Sequence, residues 1–509
     1  MAQQQQQLDE ARELLRTGRY EAALARLEGF EGWPSPQHER AHLLRADILS
    51  QRDPVDALEA LARSSDVLRS GETAFQYYVL SGRSYANIRN FEGAGEMFSK
   101  AESVAEKDPA LLAVVAHQRV RLRCAQGDFD ANDPNFAVAL ANPDPGARIL
   151  TLVSRSWMHA GQGNYGAQIT DLRAAVALAR ENPHRAELFT VARALHSLLR
   201  IAAELSDHEA ADDARALYES LDWSPELAGE QFLCLRAMAW DAFMRGDSAR
   251  AQWLFRDSKE VAPSDAWRVM SHVDRAFVAR MNRNEAWARD ELMQAQAIAR
   301  TVTWAGTHGE ERQALVTLAG LFAPVDMGQA QRYVSSYIRM GKDSVDAMLA
   351  ISHDRRATGF TQYASGCVNQ VLGNTESATL AFEAAYKIFN ETEHHFHAAL
   401  SAQGLAEMTG AAVWIERART HAGHFPKSAF YRFMNERISR PVTPWIEGLS
   451  PMQRQLALSV CEGLDTPELS RRFSRSEFTI KREVQKLYDL FNVRSKNALR
   501  EMLEERGVL

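Results

Sequence analysis

The chain has 509 residues, of which 46% are hydrophobic and 25% charged, the balance of a folded protein rather than a disordered one. Its net charge of −7 excludes a protein that coats nucleic acid along its whole length, although a local basic surface remains allowed. Cys124, Cys234, Cys367 and Cys461 lie far apart with no CxxC pair, which argues against both a disulfide framework and a zinc site.

The run Gln3–Gln7 reads as a short disordered tail over residues 1–7, lacking the basic and apolar regions of a secretory signal. No later stretch approaches the roughly 18 consecutive apolar residues that span a bilayer. A cytoplasmic protein is the expectation.

From residue 8 to residue 420, Ala-rich amphipathic segments come in pairs separated by short turns carrying Gly, Asn or Asp, and strand signals are almost absent. In SGRSYANIRNFEGAGEMFSKAESVAEKDP, Gly82 and Tyr85 fall on a first helix, and Ala94, Phe98 and Ala101 on a second. Small residues at 82, 94 and 101 let two antiparallel helices approach closely, and Tyr85 and Phe98 fill the space between them. The small–large–small spacing returns at Ala251, Phe255 and Ser258, at Ala288, Leu292 and Ala295, and at Ala378, Phe382 and Ala385. Turn markers stand near Thr17, Ile88, Gly161, Arg245 and Leu372. This pattern resembles the tetratricopeptide (TPR) repeat. The resemblance implies an α-solenoid superhelix whose concave surface receives a peptide, a protein or a small-molecule effector.

Within this region Glu393, His394, His395 and His397 form one site-like group, with His394 and His397 on a shared helix face. No HExxH or CxxC partner accompanies them, so they read as a solvated, pH-sensitive surface rather than a metal site. Gly341 and Lys342 lack the upstream glycine and following hydroxyl of a phosphate loop, and no receiver-domain or nucleophile pattern is present. Neither an enzyme nor a cofactor or metal is expected.

The pattern changes near residue 421, and Pro441 and Pro444 mark a linker or helical connector over residues 421–446. Residues 447–509 read as four short helices. Ser450 caps the first, with Pro451 at its first position, Leu456, Leu458 and Val460 as its apolar positions and Gly463 as its stop. Asp465 caps a second helix running through Leu469 and Phe473. Ser476 caps a third, with Ile480, Val484, Leu487 and Phe491 inward and Lys481, Arg482, Gln485 and Lys486 outward. A fourth begins near Ser495 and offers Ala498, Leu499 and Met502 as cover. Between Ser470 and Arg500, nine basic residues stand against three acidic ones, a net +6 on an acidic chain.

Leu449 to Pro451, Gly463 with Leu464, Thr479 to Lys481, and Val493 with Ser495 hold the order of a known motif. The segment resembles the LuxR-type (GerE-like) helix-turn-helix domain of bacterial transcription regulators. The resemblance implies that the third helix enters the major groove of double-stranded DNA, with Lys481, Arg482 and Gln485 toward bases or nearby phosphates. Thr466, Ser476 and Thr479 then face the backbone, and Lys486 and Lys496 complete the DNA-binding set. Arg482 suits guanine O6 and N7, and Gln485 suits adenine N6 and N7. Three residues depart from the family pattern: Pro467, Arg475 and Glu483. The expected function is a sequence-specific DNA-binding regulator, paired as a homodimer on two half-sites. The alternative is a protein-interaction scaffold whose helix-turn-helix no longer reads DNA.

Overall fold

A helix can end and the next begin within two or three residues if one residue adopts positive φ and the following one caps. This turn recurs along the chain. In the computed structural model Arg89, Gly163, Gly246, Arg283 and Gly373 all have positive φ. The amides of the residues that follow them, Asn90, Asn164, Asp247, Asn284 and Asn374, donate to the carbonyls of Tyr85, His159, Ala242, Ala279 and Asn369. These are Schellman closures of the outgoing helix. The side chains of Asn90, Asn164, Asp247 and Asn284 then accept from Gly93, Ala167, Arg250 and Trp287 at the start of the incoming helix.

The structure describes residues 2–64, 71–106, 108–302, 355–439 and 451–505, with 315, 317–320, 322, 328–336 and 449. Among these residues every regular element is helical and no strand occurs. None of these helices is long and apolar enough to cross a membrane. Contacts divide the chain into two units. The first comprises Met1–Ala202, Asp207–Ala237 and Leu349–Asp354, and the second Ala203–Ser206, Met238–Met348 and Arg355–Leu509. Ser450, Pro441, Pro444, Gly341 and Lys342 lie outside the described residues.

In the first unit, Ser35–Ser50, Gly71–Asn87, Pro109–Ala125 and Pro145–Gly161 each pack against the next, and each also pairs with the helix that follows it in sequence. The expected tail is instead the beginning of helix Ala2–Arg16. Its glutamines are held one turn on, Gln5 Nε2 to Asp9 at 2.9 Å and Gln6 Nε2 to Glu10 at 3.0 Å, and Leu8, Ala11 and Leu15 bury the same face.

That face does not pack on sequence neighbours alone, as a simple stack of repeats would require. Leu8, Leu15, Tyr20 and Leu27 share a core with Leu188 and Leu227. Ser224 Oγ donates to the Gly18 carbonyl at 2.9 Å, Arg19 meets Asp222 at 3.0 Å, and a Cβ on Gly18 would lie 2.6 Å from Leu227. The first helical pair thus closes onto residues far along the chain.

In the second unit Ser248–Glu260 packs on Asp265–Met281, which pairs with Glu285–Ala299, and Arg355–Leu372, Thr375–Glu391, His395–Thr409 and Ala412–Ala422 pack in succession. Trp240 sits 5.5–5.8 Å from the rings of Phe255, Phe277 and Phe396. Phe430 lies 4.6 Å from Phe396, so helix Ala429–Ser439, within the linker or helical connector expected over 421–446, packs into the core, with Met434 also buried.

All twelve residues of the four small–large–small triplets are buried, none more than 3% exposed. A Cβ on Gly82 would lie 2.5 Å from the Phe98 ring, and one on Gly366 would lie 2.6 Å from Phe382. Gly95, to one side of the buried Ala94–Phe98–Ala101 stripe of helix Phe91–Ala105, has nothing within 4 Å of that position. Gly82→Ala should therefore destabilise the chain by roughly 1–3 kcal/mol, overpacking outweighing the gain in helix propensity. Gly95→Ala should stabilise it by up to about 1 kcal/mol. Urea unfolding of the two variants tests the interlock, and shifts of the same sign would contradict it.

Candidate nucleic-acid interface

The four C-terminal helices run Pro451–Cys461, Thr466–Phe473, Glu477–Leu490 and Lys496–Glu505. Their ends are closed by local chemistry. Asp465 and Glu468 form a reciprocal capping box, Glu468 N to Asp465 Oδ1 at 2.9 Å and Asp465 N to Glu468 Oε2 at 2.8 Å. Ser474 takes φ +51, and Ser476 Oγ then accepts from Thr479 N at 3.2 Å to start the third helix. Ser495 Oγ accepts from Ala498 N at 3.2 Å at the start of the fourth.

Leu456, Val460, Leu469, Phe473, Ile480, Leu487, Leu499 and Leu503 form the interior of this segment. Val484, Phe491 and Met502 pack against it. Leu458, the third apolar position of the first helix, is 37% exposed. Leu456 and Val460 are four apart on one face, and at 100° per residue Leu458 falls on the opposite side.

On the third helix, Ile480 and Leu487 are fully buried, which fixes what faces out. Lys481 and Gln485 are exposed, and the Arg482 and Lys486 side chains are 62% and 53% exposed. Glu483 lies nearer the interior, 15% exposed, with Lys486 Nζ 2.8 Å from its carboxylate. Gln485 Nε2 donates to Asp489 at 2.8 Å.

The expected DNA-facing residues are not all on one surface. Ser476 and Thr479 hydroxyls bond each other at 2.9 Å at the start of the basic helix. Thr466 sits in the first turn of the second helix. Lys496 is half-buried and directed toward the turn after the first helix, its Nζ 3.7 Å from where a Cβ on Gly463 would stand. Arg475 is exposed, and Pro467 opens the second helix within its first turn, where a missing N–H costs nothing. The sequence reading missed Phe478. It is 77% exposed and lies one turn before Arg482 and two before Gln485 on the same outward face.

The histidines are arranged differently from the expectation. His394 is fully buried rather than solvated, because Glu393 takes φ +58 and the His394 amide closes on the Phe389 carbonyl at 2.9 Å, turning the side chain inward. There its Nδ1 meets the Thr392 carbonyl at 2.8 Å and its Nε2 lies 3.3 Å from Glu204. His397 instead packs edge-on against Phe360 at 4.4 Å. The rings that converge are His395, His421 and His424, with His395 stacked 3.4 Å from His424 and its Nδ1 3.1 Å from His421 Nδ1.

Burial, and next the neighbouring histidines, push His395 down to about 4; burial, His424 and Arg417 do the same to His421. The unfolded chain gains these protons near pH 6.5, whereas the folded chain resists until about 4. Stability is therefore complete above that window and falls as pH drops through it, by up to about 1.4 kcal/mol per pH unit for each imidazole. Urea unfolding at pH 7 and pH 5 should show the loss, and His421→Asn should flatten it. An unchanged slope in that variant would remove the cluster as its source.

No protein-family model matches this chain, and no curated protein matches it.

Proposed function

We propose that this chain is a sequence-specific DNA-binding transcription regulator, in which a TPR-like solenoid senses an effector and a LuxR-type helix-turn-helix domain binds duplex DNA. The observation that carries this reading is the outward face of helix Glu477–Leu490. It offers Lys481, Arg482, Gln485 and Lys486 opposite a buried Ile480–Leu487 stripe, within a stretch of net +6. Such a helix brings cations to phosphate and bidentate side chains to base edges at once. Arg482 suits guanine and Gln485 suits adenine. Phe478, on the same face, suits the one apolar group of the major groove, the thymine methyl. Two copies on adjacent half-sites would read a palindromic operator.

The scaffold reading draws on Glu483 and Asp489, whose carboxylates engage Lys486 and Gln485 in the free chain. Duplex binding by the full chain, selected from a random library and titrated against salt, separates the two. Salt-sensitive binding supports the regulator, and its absence selects the scaffold.

At the preferred sequence Arg482→Ala should cost about 1–3 kcal/mol and relax base choice, while Lys481→Ala should lower the salt slope by about one. An equal loss on all sequences for Arg482→Ala would place that side chain on phosphate instead. Replacing the contacted thymine by deoxyuridine should weaken the native chain about fourfold, the worth of one methyl group. Phe478→Ala should bind both duplexes alike. If that variant keeps the native preference for thymine, the phenylalanine does not read the methyl.

A further inference from the structure

The first unit carries a second concentration of arginine. Arg83 and Arg121 stand at matching positions of Gly71–Asn87 and Pro109–Ala125, two helices that pack side by side. Trp157 holds the matching position on Pro145–Gly161, and Arg193 lies over it at 5.8 Å and over Phe189 at 4.7 Å. Arg83 is neutralised by Asp47, and Arg193 faces Glu230 at 3.5 Å.

Arg121 differs from both. Among the described residues no carboxylate lies within ion-pair distance of it and no hydrogen bond reaches its guanidinium, although it is partly exposed. Burial, and then the charges of Arg83 and Arg193, lower it to about 10, so at neutral pH it remains a cation repelled by its neighbours.

A second unpaired group lies one turn earlier on the same helix face. His117 is 5% exposed, with Nδ1 3.1 Å from Thr151 Oγ1. The Thr151 hydroxyl proton goes to the Ala147 carbonyl at 2.8 Å, so Nδ1 is the donor and Nε2 keeps a lone pair that has no partner. A cation set beside two others and a buried unpaired acceptor each reduce stability. They lie one helical turn apart.

We propose that Arg121, supported by Arg83 and Arg193 and flanked by His117, is the receptor for a small anionic molecule, a phosphate or carboxylate that also bears a hydroxyl. The guanidinium takes the anionic oxygens, and His117 Nε2 accepts the hydroxyl proton. This names the effector class of the sensing region and rests on that reading for its regulatory consequence. The binding itself needs no DNA.

Melting and calorimetric titration of the full chain with inorganic phosphate, sulfate and lactate, at constant ionic strength made up with chloride, test it. Phosphate keeps a hydroxyl at pH 7 and should raise the melting temperature, whereas sulfate, with no proton to give, should bind several-fold more weakly. Lactate binding more tightly than phosphate would assign the ligand to the hydroxycarboxylates, and the reverse to the phosphates. Arg121→Gln should bind either anion about tenfold more weakly or worse. Without anion it should melt above the native chain, because the repulsion is gone, whereas an arginine kept for packing would give the opposite shift. Equal titration of variant and native chain, no shift beyond that of chloride, or a lower melting point for Arg121→Gln would each overturn the proposal. Loss of duplex binding with anion binding intact would count against the DNA reading alone.

Discussion

Close approach of helices across a glycine or alanine, with an aromatic ring filling the gap, is the contact on which this chain is built. Residue 82 meets 98 and residue 366 meets 382, the same offset in the two units. Gly404 approaches the same Phe382 ring from a third helix, and Gly161 abuts Phe129. Because the ring and the missing Cβ occupy one volume, neither partner can change size alone. The short turns follow from this, since helices held so near need a connection of only two or three residues, closed by the positive-φ residue and its capping neighbour.

The apolar contact between Leu8, Leu15 and Tyr20 and the distant Leu188 and Leu227 adds a different constraint to the first unit. Local pairs would each form from contacts near in sequence. This one is non-local, and its loop-closure entropy is recovered only after the intervening pairs are in place. It also leaves the matched positions of successive first helices, those of Arg83, Arg121 and Trp157, in register within one closed unit.

What was legible in the sequence is what one helix or one turn decides. The buried triplets could be read because Ala94, Phe98 and Ala101 share a face whatever lies opposite, and the caps at Asp465 and Ser476 because a side chain reaches its own backbone. The misplaced residues were those whose surroundings come from elsewhere. Gln3–Gln7 is helical because residues 8–15 are anchored on a distant core. His394 is buried because a positive φ at Glu393 turns it toward Glu204. Leu458 was a matter of phase: its hydrophobicity says apolar, but the Leu456–Val460 stripe already defines the buried side. Phe478 carried a signal that was available, an aromatic residue at the outward phase of a basic helix.

The intrahelical pairs on the basic face bear on how that face would meet a duplex. Lys486 is tied to Glu483 and Gln485 to Asp489, both at 2.8 Å, and of these four side chains all but Glu483 are open to solvent. Exposed pairs of this kind are worth roughly 0–1 kcal/mol, so exchanging them for phosphate or base contacts costs little. Glu483 is a different matter. At 15% exposure it is held toward the interior, where one carboxylate oxygen lies 2.8 Å from Lys486 Nζ and 3.8 Å from the Arg482 guanidinium. A carboxylate that on sequence alone looks hostile to DNA thus occupies the inner edge of the helix, and the outer face is left to Phe478, Lys481, Arg482 and Gln485, with Asp489 at its far end. Of the two carboxylates, Asp489 is therefore the one exposed on that face, two turns beyond Arg482 near the end of the helix.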